Sequence, residues 1–344
     1  MIRVYLTFDY ELPLGGIKKS YKHSLFDPTN RLFNLAEKIN VPITLFADIL
    51  SYKKFKEWDI PEYYKEFEKQ ISFALANKHD VQLHIHPHWL DTKFEKNTFI
   101  PDSKFALSDF VNNKYPNDIE GIIERSYNTL KTVCAKTDKD HKIIAYRAGG
   151  YNLYPNTERI VKALYKNGIK VDSSISKGYY FKSDFSLIDY RKTPNKPNWF
   201  LDFGGDFSKE STEGIYEIPI ASKPKSFFEV PTKFKLKKLQ HRAVENRGKM
   251  MHVSENVRFV DKVKQALSSR MLTIDNHTYS HDYLMDILDF NINKYKKSEV
   301  IDLSLIAHPK SMGDYSFELL EEFVNRAREK YQNRIEFTTF KSVF

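Results

Sequence analysis

Short runs rich in β-branched and aromatic residues alternate with longer amphipathic runs along almost the whole of this 344-residue chain. That alternation restricts the possible folds more than any other feature. VYLTFD, ITLFAD, DVQLHIH and KIIAY read as strands, whereas NRLFNLAEKIN, YYKEFEKQISFALANK, IEGIIERSYNTLKTVCAK and NTERIVKALYKNG read as helices. IKVDSS, GIYEIPI, MLTIDN, LSLIAHP and IEFTTF continue the strand series. Strand, helix, strand repetition predicts a mainly parallel sheet, and this many units predict an α/β barrel. One domain spanning residues 1–344 is expected. From about Tyr179 to Arg270 the rhythm breaks into Pro, Gly and aromatic clusters, which predicts long loops and an inserted lobe around GIYEIPI.

Polar and reactive residues collect where the apolar runs stop: Asp9, Asp48, His84, Arg147, Asp172 and His308 each end a predicted strand. In a β/α barrel those ends share one rim, where such folds build their sites. In TFDYE, Asp9 and Glu11 are separated only by Tyr10, and two acids so close repel unless something positive lies between them. A metal ion meets that need. DVQLHIHPHW supplies His84, His86 and His88 at spacings of two. Pro87 restricts His86 to extended backbone, which predicts all three imidazoles on one side. Imidazole with carboxylate suits a first-row divalent ion, zinc above all. Arg147 precedes two glycines that permit close backbone approach, and its forked guanidinium would orient a carboxylate or a substrate oxyanion. As purely structural residues Arg147 would serve an ion pair, Asp172 a turn or helix cap, and His308 the core.

The composition is 41% hydrophobic and 29% charged with mean hydropathy −0.54, which fits a soluble globular protein and excludes a largely disordered one. No segment reads as membrane-spanning. The net charge is +9, yet lysines are spread along the chain among acids, so no nucleic-acid partner is expected. The densest basic stretch, from Lys223 to Arg242, mixes aromatics with cations and suits peripheral contact with anionic lipid headgroups or an anionic glycan. Cys134 is the only cysteine, so there is no intrachain disulfide, and it reads as a small buried residue. The N-terminus enters strand pattern at once and carries no export signal, which predicts a cytoplasmic location.

Taken in order, TFDYE, LHIHPH, YRAGGY, VDSS and IAHP resemble the five motifs of the polysaccharide deacetylases, the NodB-homology group of carbohydrate esterases. The resemblance runs from about Ile2 to Phe340. It implies a distorted (β/α) barrel with one divalent metal, most often zinc, that removes N- or O-acetyl groups from a sugar. It further implies Asp9 as the general base for the attacking water, held by Arg147, with Glu11, His84 and His88 as metal ligands. His308 would protonate the leaving group, oriented by Asp172, and Tyr151 and His277 would contact substrate. The chain departs from the usual pattern in spacing its two acids as Asp9 and Glu11, in placing Ile85 where a hydroxyl residue is usual, and in having Gly149 for a proline. A second pair, His277 and His281 in DNHTYSHD, has the same spacing of four, but motif order favours His84 and His88.

The expected function is therefore deacetylation of an acetylated sugar in the cytoplasm or at the inner face of the membrane. A nucleotide-linked or lipid-linked precursor of a surface polysaccharide suits that location. Two other readings remain open: hydrolysis of a non-sugar amide such as a cyclic ureide, and a catalytically silent carbohydrate-binding protein of the same fold.

Overall fold

A computed structural model describes residues 1–17, 19–96, 98–184, 186–225, 258–274 and 280–343. Its first strand, β1 (Ile2–Tyr10), is buried along nearly its whole length, and the burial is two-sided. Val4, Leu6 and Phe8 belong to the main hydrophobic core beneath the helices. Tyr5 points the other way, into a smaller cluster with Phe46, Ala145, Val171, Ile218 and Phe340. Because successive strand side chains alternate in direction, Thr7 and Asp9 continue the Tyr5 face. A sheet covered on both faces needs apolar residues on both, as at Val4, Tyr5 and Leu6, and the alternation from Thr7 to Asp9 shows where the inner face turns polar.

After β1 come β2 (Thr44–Asp48), β3 (Asp80–Ile85), β4 (Ala145–Ala148), β5 (Val171–Asp172), β6 (Trp199–Leu201), β7 (Ile215–Glu217), β8 (Ile301–Ala307) and β9 (Ile335–Thr338). They form one nine-stranded sheet in the order β6-β7-β5-β4-β3-β2-β1-β8, with β9 also paired to β1. All neighbours are parallel except β6 and β7. The sheet curls until its ends approach: Ile220, just after β7, bridges Ser304 of β8, and Thr273 bridges Ile306. The expected barrel is thus present in distorted form, joined on that side by isolated bridges rather than by a full ladder.

The helices that cover it include α1 (Asp27–Lys38), α2 (Ile49–Glu57), α3 (Pro61–Ala76), α4 (Ile119–Cys134) and α5 (Thr157–Lys166). Local signals start them: Pro61 opens α3, and the Asp118 side chain accepts the Gly121 amide at the head of α4. On α5, Ile160, Val161 and Leu164 recur at helical spacing and are buried, each worth about 1.5–3 kcal/mol on full burial. Cys134 is buried and unbridged, as expected, and burial pushes its thiol up to about 12. Among the described residues no helix is long and apolar enough to cross a membrane.

In the region expected as a lobe, Tyr180–Lys182 and Leu187–Asp189 form a separate two-stranded hairpin, while β6 and β7 extend the main sheet. Lys223 is ion-paired with Asp286 at 2.7 Å. Most of the basic stretch, 226–242, lies outside the described residues.

Candidate active site

The interior face of the curled sheet changes from apolar to ionic toward the strand ends. Phe46 and Tyr5 lie deepest. Above Phe46, with its guanidinium carbon 4.3 Å from the ring centroid, is Arg147 of β4. This side chain is fully buried and uses all of its nitrogens. Nε donates to the Ser173 carbonyl (2.8 Å), Nη1 to Thr7 Oγ1 and Asp9 Oδ1 (both 2.8 Å), and Nη2 to Ser173 Oγ (3.0 Å) and Ser304 Oγ (3.1 Å). Three segments, β1, β8 and Ser173 just past β5, therefore fix one guanidinium, and the guanidinium fixes Asp9.

Over this layer stand the groups that end the strands. Asp9 Oδ2 lies 3.6 Å from His308 Nε2, and Glu11 Oε1 lies 3.5 Å from the same nitrogen. The other oxygen of Glu11, Oε2, contacts His86 Nε2 and lies 3.6 Å from His84 Nε2. His84 Nδ1 donates to the Arg147 carbonyl at 2.8 Å. With that proton assigned, the neutral ring carries its bare lone pair on Nε2, facing Glu11. Asp48 ends β2 nearby and accepts the Trp89 indole N–H at 2.6 Å; burial pushes its carboxyl up.

One ligand atom each from Glu11, His84 and His86 lie within 4.8 Å of one another, and so do those of a second group, Asp9, Glu11 and His308. Glu11 Oε2, His84 Nε2 and both His86 nitrogens are buried without a hydrogen-bond partner. Buried donors left in this state are costly unless something binds them, and imidazole nitrogens with a carboxylate oxygen are the donor set a divalent ion takes. Burial opposes charge on His84, but the fields of Asp9, Glu11 and Asp48 outweigh it and raise the imidazole above its ordinary value. Burial likewise opposes charge on Glu11, yet His86, Lys310 and His84 hold its carboxyl well below the usual range. Surroundings that retain a carboxylate and draw a proton to a neighbouring imidazole also draw a metal cation.

The structure brings Asp9, Glu11, His84, Arg147 and His308 together, and it corrects the view that three imidazoles share a side. Extended backbone ends at His86, because Pro87–Leu90 forms a 3-10 turn. His88 leaves the strand with its ring centroid 5.4 Å from that of His86 and 5.1 and 5.0 Å from those of Trp89 and Phe105, and both of its nitrogens are buried without a hydrogen-bond partner. It joins neither donor group; His86 stands beside Glu11 and His84 instead. Burial holds His88 well below the ordinary imidazole value.

Asp172 is the last residue of β5. The next residue, Ser173, faces Arg147, so strand alternation turns Asp172 toward the helices. There it accepts from the Ser174 amide (2.9 Å) and hydroxyl (2.8 Å) and stands opposite Glu217 of β7. Burial raises both carboxyls, Glu217 well above its usual range. Tyr151 sits at the rim with a left-handed φ of +62°, packed beside Ile220, Met271 and Ile306, its ring centroid 6.3 Å from that of Tyr179. His277 lies outside the described residues. Its companion His281 begins a helix, His281–Lys294, and is ion-paired with Asp282 and Glu322.

No protein-family model and no curated protein matches the chain. Solved structures do match. A protein described as a polysaccharide deacetylase from Mycobacterium smegmatis aligns over 99% of this chain and 88% of its own, at 13% identity and a TM-score of 0.49. The chain is similar to polysaccharide deacetylases. A second protein so described, from Pseudomonas aeruginosa, aligns over the same shares at 12% identity and a TM-score of 0.46. The PuuE allantoinase does so at 11% and 0.47. Function at such identities is read from the side chains.

The sequence marks His86 only as one of three clustered imidazoles and gives no role to Lys310, Thr7, Ser173 or Ser304. It also leaves Gly149 as a departure with no cause, and the structure supplies one. A Cβ on Gly149 would lie 2.5 Å from the Ile85 carbonyl oxygen and 2.8 Å from His86 Nδ1. Glycine is what lets β4 pass behind the His86 ring. Gly149→Ala is expected to destabilise the protein by about 1–3 kcal/mol and to weaken metal binding about tenfold or more by moving a ligand. Denaturant unfolding and competition with a chelator check the two effects separately.

Proposed function

We propose that the chain is a metal-dependent hydrolase that deacetylates a sugar, with Glu11, His84 and His86 as the metal-holding residues. The observation that carries this reading is the partnerless buried donor set directly beside Asp9 and His308. A divalent ion bound there, zinc in our reading, acts as a Lewis acid toward a carbonyl oxygen and makes water nucleophilic near neutrality. The chain's own residues supply the proton traffic. Asp9 accepts the proton of the attacking water, and Arg147 keeps its carboxylate aimed. As the C–N or C–O bond to the sugar breaks, His308, partly open with 20% of its side chain exposed, gives a proton to the departing nitrogen or oxygen. Placing the acceptor and the donor on separate groups lets each work in its required state.

The rim aromatics Tyr151 and Tyr179 offer flat surfaces on which a sugar ring can stack. We infer an acetylated sugar in a nucleotide- or lipid-linked precursor as the substrate class, used in the cytoplasm or at the inner face of the membrane. The test is metal content of purified protein by elemental analysis, with turnover of N-acetylated and O-acetylated sugars and of a cyclic ureide. One equivalent in the wild type, lost in the His84→Ala, His86→Ala double variant, with acetate released from a sugar, supports the reading. Hydrolysis of the ureide alone would replace the substrate class. Bound metal without any turnover would leave a binding protein.

A further inference from the structure

The two oxygens of Glu11 are divided between two environments. Oε2 faces His84 and His86, whereas Oε1 accepts from Lys310 Nζ at 2.8 Å and lies 3.5 Å from His308 Nε2. Lys310 also donates to the Leu12 carbonyl at 3.2 Å, and only 15% of its side chain is exposed. A 3-10 turn at Pro309–Ser311, closed by the Ser311 amide on the His308 carbonyl at 2.8 Å, carries the ammonium back over the rim. Glu11 is also the member shared by both donor groups. Two donor groups joined by one carboxylate are the arrangement with which many hydrolases hold two metal ions about 3.5–4 Å apart. Here one half of that arrangement already contains a cation.

We propose that Lys310 is a built-in cation that takes the place of a second metal ion. It occupies Oε1, limits the centre to the ion held by Glu11, His84 and His86, and leaves proton transfer to Asp9 and His308. The physical basis is charge: an ammonium on the shared carboxylate both neutralises it and repels a divalent ion from the adjoining group, in a pocket with little water to screen the repulsion. Lys310 is thus a positioning residue. This inference rests on the metal reading above and is separable from it.

The test compares wild type, Lys310→Met, Lys310→Gln and Lys310→Arg, each equilibrated with excess zinc, dialysed and analysed for metal. Parallel samples carry Mn2+ for electron paramagnetic resonance, which detects coupling between neighbouring ions. Wild type and Lys310→Arg should hold one equivalent. Lys310→Met and Lys310→Gln should each take up a second, giving a coupled Mn2+ signal, and His308→Ala added to either should return it to one. Using two neutral variants keeps the test open if one of them folds poorly. A single equivalent in both neutral variants would overturn the inference and leave Lys310 a plain ion-pair partner. Two equivalents in the wild type would overturn it while leaving the metal reading intact, and none in the wild type would remove both.

Discussion

Arg147→Met is expected to lower stability by about 3–5 kcal/mol, the range for removing one partner of a buried ion pair. The size follows from what the guanidinium does. It is fully buried and donates to Asp9, and its five hydrogen bonds end on groups from three separate segments of the barrel. Methionine fills part of the volume and keeps contact with Phe46, so lost packing is a small share of the cost. What remains is a buried carboxylate that has lost its hydrogen-bonded counter-charge, together with a carbonyl and three hydroxyls that lose a partner. Arg147→Lys should recover only part of the loss, because a single ammonium cannot span Ser173, Thr7, Asp9 and Ser304 in the way a planar fork does. Denaturant midpoints for the three proteins give the order: wild type, then lysine, then methionine. Equal midpoints for lysine and wild type would mean that charge alone, rather than the fork, holds this layer together.

Much of this layer was legible before any coordinates. An apolar run that ends on a charged or imidazole residue marks a rim position in a parallel α/β fold, and that rule picks out Asp9, His84, Arg147 and His308, while Glu11 follows from its spacing to Asp9. Residues one step beyond a strand were harder. Whether His86 or His88 stays with His84 depends on where extended backbone stops, and Pro87 serves equally well to prolong an extended run or to open a 3-10 turn. Asp172 shows a related ambiguity: in VDSS, Asp172 and Ser173 both suit an inward position, and a one-residue choice of face sets the carboxylate opposite Glu217. Thr7, Ser173 and Ser304 are small polar residues inside buried strands, and only contact with Arg147 distinguishes them from ordinary strand hydroxyls. Lys310 lies in a turn whose direction no periodicity encodes. The causes of such misses are local backbone geometry, at distances where hydrophobic pattern carries no information.

Asp9→Asn should reduce kcat and kcat/KM together by about 10²- to 10⁴-fold, the usual contribution of a positioned acid or base, while metal content stays at one equivalent. The substitution is isosteric: the amide carbonyl can still accept from Arg147 Nη1, now 2.8 Å from Oδ1, and Asp9 is not among the Glu11, His84 and His86 donors. Only the charge and the capacity to take a proton are removed. Equal loss in the two kinetic constants would place the effect in the transition state rather than in substrate binding. Metal content is the decisive second readout because Asp9 does belong to the other donor group, with Glu11 and His308. If Asp9→Asn released the metal, the ion would have to sit in that second group, Asp9 would be a ligand, and the proton acceptor would have to be sought elsewhere on the rim. If the metal stayed and turnover fell, the carboxylate held by Arg147 would be the group that takes the proton, and the ionic layer built on Phe46 would have its reason for being buried.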